Sequence, residues 1–196
     1  MALSYVRCLF LRSTFAATAP RSALAELGVV RRFLASFVNE DRSNPSSQTI
    51  PTLEDWHSEP WDLDIPYAFK HFNGKTIEES VPLFEENALC YQEDLMFMPS
   101  RVFGYYFRAY LTYVLSPASA NDSDGASCFI GLIEHKLKWQ PADIQPLWRE
   151  IRPVLEHLAA NQQFFGASPE IYGSFQQRAE TLFSAFAAYE PTPGNT

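Results

Sequence analysis

Residues 100–114 read SRVFGYYFRAYLTYV. Apolar and aromatic side chains recur here at intervals of three and four residues, the spacing of one face of an α-helix. Pro117 follows and cannot continue a helix. We therefore predict a helix that is capped by Ser100 and lies at the centre of the fold. Its stripe comprises Val102, Phe103, Tyr106, Phe107, Tyr110, Leu111 and Val114.

A second helix is predicted just before this one in the chain. Thr76 and Glu79 have capping-box spacing, in which the hydroxyl and the carboxylate each bind a backbone amide at a helix start. An apolar stripe follows as far as Tyr91, and Pro82 predicts a kink near the start. The apolar run Leu95–Pro99 is too short to assign by its period and is interpreted as a buried strand or an extended bridge.

The loop 116–125 is predicted to lead into a third helix that ends before Pro141. Within the loop, Asp122–Gly125 has the composition of part of a calcium-binding loop. That register places Ala120 and Gly131 where the ion needs oxygen ligands. The first two residues of the run, Asp122 and Ser123, are therefore interpreted as candidates for the helix cap.

Two more helices are predicted in the C-terminal part of the chain. One is expected to begin at Pro146 and to bend at Pro153. The other has a start signal in Ser168–Glu170, which supplies a capping hydroxyl, a first-position proline and an acid, and it is expected to run to about Tyr189.

The predicted fold is mainly α, a compact bundle of about five helices with an aromatic core. The 196 residues include sixteen Phe, nine Tyr and four Trp, which must be buried, and no alternation of period two indicates a large sheet. Residues 53–74 are expected to pack their rings on the domain surface, with a short helix near Pro66–His71. The domain is predicted to span 53–189, after an arm and linker at 1–52 and before a tail at 190–196.

The first 42 residues are basic, with six Arg against three acids. Arg12 interrupts the apolar run that a secretory signal would need, whereas the Arg-, Ser- and Ala-rich composition is compatible with an organellar transit peptide. The interpretation that we favour is an unstructured extension, or a true start that lies downstream of Met1. The expected location is the cytoplasm, with an organelle matrix as the alternative.

The rest of the chain carries nine bases and twenty acids, a balance of minus eleven. Such a body repels the phosphates of nucleic acids and favours a basic protein partner. No apolar run reaches the roughly 18 residues of a membrane-spanning helix, so no membrane association is predicted. The three cysteines form neither a CxxC pair nor a dense disulfide pattern, which indicates a reducing compartment with Cys90 and Cys128 as small core residues.

Two further motifs fail on their spacing. Gly74-Lys75-Thr76 copies the end of a phosphate-binding loop, but Phe69 stands where the motif needs glycine, so a turn followed by a helix cap is predicted. Glu54 and His57 have the spacing of half a di-iron site, and no second Glu-x-x-His element occurs. The sequence therefore predicts no cofactor and no metal.

The acidic residues Glu85, Glu86, Glu93 and Asp94 are the densest charged group and are predicted to contact the partner. Arg101 and Arg108, seven residues apart, either bind an anion or form ion pairs with Glu93, Asp94 or Glu134; they are included in the predicted partner surface.

The function predicted from these features is a non-enzymatic protein-interaction module of the immunity, adaptor or inhibitor type. The alternative is a small hydrolase or small-molecule enzyme that uses Glu93, Asp94 and His135 in an aromatic pocket. Convergence of these three side chains in a cleft would favour catalysis, whereas an acidic face rimmed by aromatic rings would favour binding.

Overall fold

A computed structural model of the chain describes residues 49–57 and 64–187. Every regular element in these ranges is helical, which confirms the mainly α prediction. Most of the predicted arm, part of the predicted linker and the tail lie outside the described residues. The longer helices are α1 (Ile65–Phe72), α2 (Ile77–Phe97), α3 (Ser100–Val114), α4 (Ser123–Trp139), α5 (Trp148–Ala160) and α6 (Phe175–Ala187).

The helix α3 lies at the centre of the described domain, as predicted. Ten of its fifteen residues are buried, including every residue of the predicted stripe. It packs most extensively against α2 and also contacts α4, α5 and the short helical turn Leu53–Trp56. A helix that is apolar around most of its circumference requires neighbours on several sides, and this requirement places α3 in the interior.

Aromatic rings fill the space between α3 and its neighbours. Phe84 of α2 stacks on Tyr110 of α3 with ring centroids 4.6 Å apart and an interplanar angle of 7°. Phe129 of α4 stacks on Phe107 at 5.5 Å and meets the edge of Tyr110 at 5.2 Å. Such pairs contribute about 0.5–1.5 kcal/mol each beyond the burial of their area.

The buried tyrosines of α3 donate hydrogen bonds to the starts of the neighbouring helices. The Tyr106 hydroxyl donates to the carbonyl of Lys75, which lies just before α2, over 3.2 Å. The Tyr110 hydroxyl donates to the carbonyl of Gly125 over 2.6 Å, and the Tyr113 hydroxyl donates to Oδ2 of Asp122 over 2.5 Å. Burial raises the pKa of both Tyr106 and Tyr110. These hydroxyls therefore stay protonated and act as donors throughout the ordinary pH range.

The predicted helix caps are confirmed at α2 and α4. The Thr76 hydroxyl accepts from the Glu79 amide over 3.1 Å, and the Glu79 carboxylate accepts from the Thr76 amide over 2.9 Å. At α4, Asp122 rather than Ser123 is the cap, and its Oδ1 accepts from the Gly125 amide over 3.2 Å.

The kink in α2 lies at Asn87 and not at Pro82, where it was predicted. Asn87 has φ −159° and ψ 83°, which are not helical values, and its Oδ1 accepts from the Cys90 amide over 3.1 Å. Asn87 therefore caps the second half of α2 in the way that a free helix start is capped. Pro82 lies inside the first half, where the helix continues through it.

The run Leu95–Pro99 is not a strand, and extended backbone is confined to its last two residues, Met98 and Pro99. Its first three residues complete α2, and the chain then bends at Met98 and Pro99. Pro99 occupies the position before α3, so Ser100 is the first helical residue and not the predicted cap. An apolar run this short fits a buried helix end as well as a strand, which is why its period did not distinguish them.

Among the described rings of residues 53–74, those of Trp56 and Phe72 belong to the core, contrary to the prediction that the rings pack on the surface, whereas the Tyr67 ring is exposed. Trp56 is 3% exposed and Phe72 is fully buried, and the edge of Trp56 meets Phe69 at 5.3 Å. The predicted short helix is confirmed as α1, whereas Trp61 lies outside the described residues.

The C-terminal helices begin later than predicted. Short turns at Pro141–Ile144 and Gln145–Leu147 precede α5, which begins at Trp148 instead of Pro146. Ser168 caps the short helix Pro169–Tyr172 as expected, but Gly173, with φ 73°, separates that helix from α6. A positive φ strongly favours glycine and ends the helix there.

Glycine at position 125 is required by the close approach of α4 to its own cap. A Cβ at this position would lie 2.1 Å from Asp122 Oδ2 and 3.0 Å from the Ala88 side chain. We expect Gly125→Ala to displace Asp122, to weaken both the cap and the Tyr113 hydrogen bond, and to lower the free energy of unfolding by about 2 kcal/mol. Urea denaturation measures this loss.

The matched control is Gly104→Ala in the middle of α3, where nothing lies within 4 Å of the added Cβ. This change is expected to raise the free energy of unfolding by roughly 0.5–1 kcal/mol, because alanine favours the helix. Equal effects of the two substitutions would contradict the packing described for Gly125.

Candidate functional site

A cleft of about 440 Å³ lies between α1 and the second half of α2. Asp64 precedes α1, and Tyr67 and His71 lie four residues apart on one face of that helix. The opposite wall is formed by residues of α2 between positions 86 and 97. We call this feature the acidic cleft. Its volume falls within the range that small-molecule and side-chain pockets occupy in proteins.

A polar contact between His71 and Asp94 joins the two walls of the acidic cleft. His71 Nδ1 lies 2.7 Å from Oδ2 of Asp94, and the edge of Tyr91 meets the His71 ring at 5.3 Å. Burial raises the pKa of the Asp94 carboxyl, although the hydrogen bond from His71 acts in the opposite direction. The negative charge of Asp64 raises it further.

The acidic cleft combines carboxyl groups with exposed aromatic rings. Asp64, Glu86, Glu93 and Asp94 all line it, and no Lys or Arg is found among the described residues of its walls. Tyr67 is 43% and Phe97 is 37% exposed, which is unusual for rings of this size in a core-forming sequence. Carboxylates next to open aromatic faces form an environment suited to organic cations.

The structure brings three of the four predicted acidic residues into the acidic cleft. Glu86, Glu93 and Asp94 line it, while Glu85 is exposed on the same helix and is not among the lining residues. His135, the third residue of the predicted catalytic alternative, is also not among the described residues that line the cleft. It lies on α4, where burial and the charges of Lys136 and Lys138 lower its pKa.

Arg101 and Arg108 form ion pairs inside the domain, with partners that the sequence did not identify. Arg101 binds Asp55 and also donates to the Thr49 hydroxyl over 2.9 Å. Arg108 holds both carboxylate oxygens of Glu150, at 2.9 and 2.6 Å, so that it joins α3 to α5. Glu134, another predicted partner, binds Arg178 of α6. The role of the two arginines in partner binding stays a prediction.

The weak motifs of the sequence serve local structure. Gly74 takes φ 76° in a turn before the Thr76 cap, as predicted. Across residues 49–57 and 64–187, no group of three His, Cys, Asp or Glu side chains could hold a metal ion. Within the same ranges, no helix has both the length and the apolar character needed to cross a bilayer.

The residues predicted for the site did not include Asp64, Tyr67, His71 or Cys90, which line the cleft. The available signal was helical spacing: Tyr67 and His71 share a face of α1, and Cys90 and Asp94 share a face of α2. Cys90 was predicted to be a small core residue, whereas it is half-buried and lines the cleft. Nothing in the local pattern shows that these two faces meet.

The two described thiols lie in different surroundings. Cys128 lies on α4, where burial and the nearby charges of Asp124 and Asp122 raise its pKa to about 11. Cys128 is therefore a protonated, weakly nucleophilic thiol at neutral pH. Cys90 shares the cleft with the His71–Asp94 pair, an arrangement that can hold a histidine ring in a fixed orientation.

Comparisons of the chain with protein-family models, with curated proteins and with solved structures find no match. The functional argument therefore starts from the chemistry of the acidic cleft. That chemistry consists of four carboxyl groups, one histidine that joins the walls, and open aromatic rings.

Stability should depend on the ionisation of Asp94. Because its folded-state pKa is raised above the ordinary 3.8, the stability that this carboxyl contributes is present at low pH and is lost as pH rises from 3.8 through the raised pKa. We expect the free energy of unfolding of Asp94→Asn to increase relative to that of wild type as pH rises through that interval. Urea titrations between pH 3 and pH 6 measure the difference.

The control for this titration is Glu85→Gln, which neutralises an exposed carboxyl of the same helix. Its stability difference from wild type, measured over the same interval, is the reference for the difference of Asp94→Asn. If the free energy of unfolding of wild type instead rose relative to that of Asp94→Asn as pH rises, the expectation would be wrong. That result would mean that the interaction with His71 lowers the Asp94 pKa by more than burial raises it.

Proposed function

We propose that this chain is a protein-interaction module that binds a basic segment of a partner protein in the acidic cleft. The observation that carries the proposal is the combination of Asp64, Glu86, Glu93 and Asp94 with exposed aromatic rings in one concave site. The balance of minus eleven over residues 43–196 supports it, since such a body attracts cationic partners over long distances.

An arginine side chain suits this environment best. Its planar guanidinium can bind a carboxylate through two parallel hydrogen bonds and can stack on an aromatic face at the same time. Glu86 and Glu93 are exposed, and the Tyr67 and Phe97 side chains are partly exposed beside them. A lysine would satisfy the charge with less directional bonding. We therefore infer that the partner segment is rich in arginine.

The enzymatic alternative has less support from the geometry. It required Glu93, Asp94 and His135 to converge, and His135 is not among the described residues of the cleft. An interaction module of the immunity, adaptor or inhibitor type needs only a surface that is complementary to its partner. The acidic cleft, with carboxyl groups beside exposed aromatic side chains, offers such a surface to a basic segment.

Binding of an arginine-rich peptide tests the proposal. We expect a fluorescein-labelled peptide with four arginines spaced by glycine and serine to bind the full chain at moderate salt, as measured by anisotropy. Glu86→Gln combined with Glu93→Gln should weaken binding by about tenfold, because two carboxylates that contact the cation are lost.

Glu156→Gln combined with Glu180→Gln is the matched control. It removes the same charge from exposed positions on α5 and α6 that do not line the cleft. Its affinity should stay within about twofold of wild type at moderate salt, because distant surface charges are screened there. Equal weakening by both pairs would show that the peptide responds to net charge, and the cleft would lose its role.

A further inference from the structure

We propose that the acidic cleft is occupied in the full chain by its own segment 29–38, VVRRFLASFV, which a partner must displace. This proposal rests on the proposed function, because it assigns an internal competitor to the same cation-binding cleft. It adds a regulatory property: the chain limits its own affinity for basic partners.

The first argument is charge complementarity. Between Glu26 and Glu40 the chain carries Arg31 and Arg32 and no acidic residue. The cleft carries four carboxyl groups and no Lys or Arg among its described lining residues. Two adjacent arginines therefore meet a site that has a surplus of negative charge.

The second argument is the match of apolar groups. Val29, Val30, Phe33 and Leu34 flank the two arginines. The cleft offers the exposed rings of Tyr67 and Phe97 beside its carboxylates. A segment that carries apolar side chains on both sides of its cations can satisfy both kinds of surface, which a purely polar basic tail cannot do.

The third argument is the reach of the chain. Thr49, the first described residue, is bonded to Arg101, which follows the cleft residue Phe97 by only four positions. The Cα atoms of Phe97 and Arg101 are therefore at most about 15 Å apart. Arg32 precedes Thr49 by seventeen positions, and that length of extended chain covers up to about 56 Å. The chain between Arg32 and Thr49 is therefore longer than the distance that it has to span to the cleft.

A tethered segment competes at high effective concentration. For a linker of this length that concentration is on the order of millimolar, so even weak binding in the cleft reduces the affinity for a partner added in solution. Removing the two arginines should release the cleft without altering it. The expected consequence is tighter binding of an external basic peptide.

The first test compares two charge-matched variants of the full chain with the four-arginine peptide as the probe. Arg31→Ser with Arg32→Ser should tighten peptide binding by about fivefold or more. Arg7→Ser with Arg12→Ser removes the same charge at positions nearer the N-terminus, outside the segment 29–38. This variant should bind the peptide with an affinity near that of wild type. Equal affinities in all three proteins, or equal tightening by both variants, would overturn the occupancy of the cleft by 29–38.

The second test detects the contact directly and does not depend on the peptide. In a Cys8→Ser, Cys128→Ser background, the thiol introduced by Ser36→Cys should be joined to Cys90 by a short bismaleimide. The yield should fall to the control level at high salt or when Arg31→Ser and Arg32→Ser are added. The control places the second thiol on α6, through Cys90→Ser with Gln176→Cys at an exposed position.

The outcomes separate the two proposals. Cross-linking at Cys90 well above the control, with tighter peptide binding after removal of the arginines, supports both. Peptide binding that is sensitive to Glu86→Gln with Glu93→Gln, together with equal cross-linking at both positions, overturns the occupancy of the cleft by 29–38 and leaves the proposed function standing. Absence of peptide binding in every variant overturns the proposed function, and cross-linking at the control level then overturns the occupancy as well.

Discussion

Three tyrosine hydroxyls buried along α3 need hydrogen-bond acceptors, and each finds one at the start of a neighbouring helix. Tyr106 bonds the carbonyl before α2, while Tyr110 and Tyr113 bond the first turn and the cap of α4. A buried hydroxyl without a partner costs about 1–3 kcal/mol. The apolar stripe thus drives α3 into the interior, and its hydroxyls then fix where along α3 the neighbouring helices begin. Nonspecific ring packing alone would not set that register.

The position of the acidic cleft follows from this register. Phe84 stacks on Tyr110, and the Tyr106 hydroxyl donates to the Lys75 carbonyl just before α2. These two contacts fix the position of the first half of α2 along α3, and therefore also the position of Asn87. Asn87 caps the second half and sets its rotation, which turns Asp94 towards His71 of α1. A cleft between two short helical segments is in this way supported by the buried core of a third helix. Three of its four carboxyl groups lie on α2, and the fourth, Asp64, precedes α1.

Much of the fold could be predicted because its signals are local. The stripe of α3 and the caps at Thr76 and Asp122 depend on residues three or four positions apart. The site depends on distant pairs: His71 and Asp94 are 23 positions apart, and Arg108 and Glu150 are 42 apart. Periodicity shows which face of a helix is apolar and does not show which two polar faces meet. For the same reason, the burial of Lys136 could not be predicted from the sequence. Lys136 is fully buried, donates to Asp143 over 2.8 Å and lies over the Phe103 ring at 4.5 Å. A lysine in a helical stripe is ordinarily read as a solvent-facing residue.

The hydroxyl bonds of α3 are the part of this account on which the rest depends, and Tyr113→Phe removes one of them while keeping the ring. Wild type serves as the reference. The decisive measurement is the free energy of unfolding combined with amide hydrogen exchange at the start of α4. The account predicts a loss of about 1–3 kcal/mol in Tyr113→Phe and faster exchange at Gly125, because the buried Asp122 carboxylate loses the hydroxyl that donates to its Oδ2. Stability within about 0.5 kcal/mol of the reference, with unchanged exchange at Gly125, would contradict it.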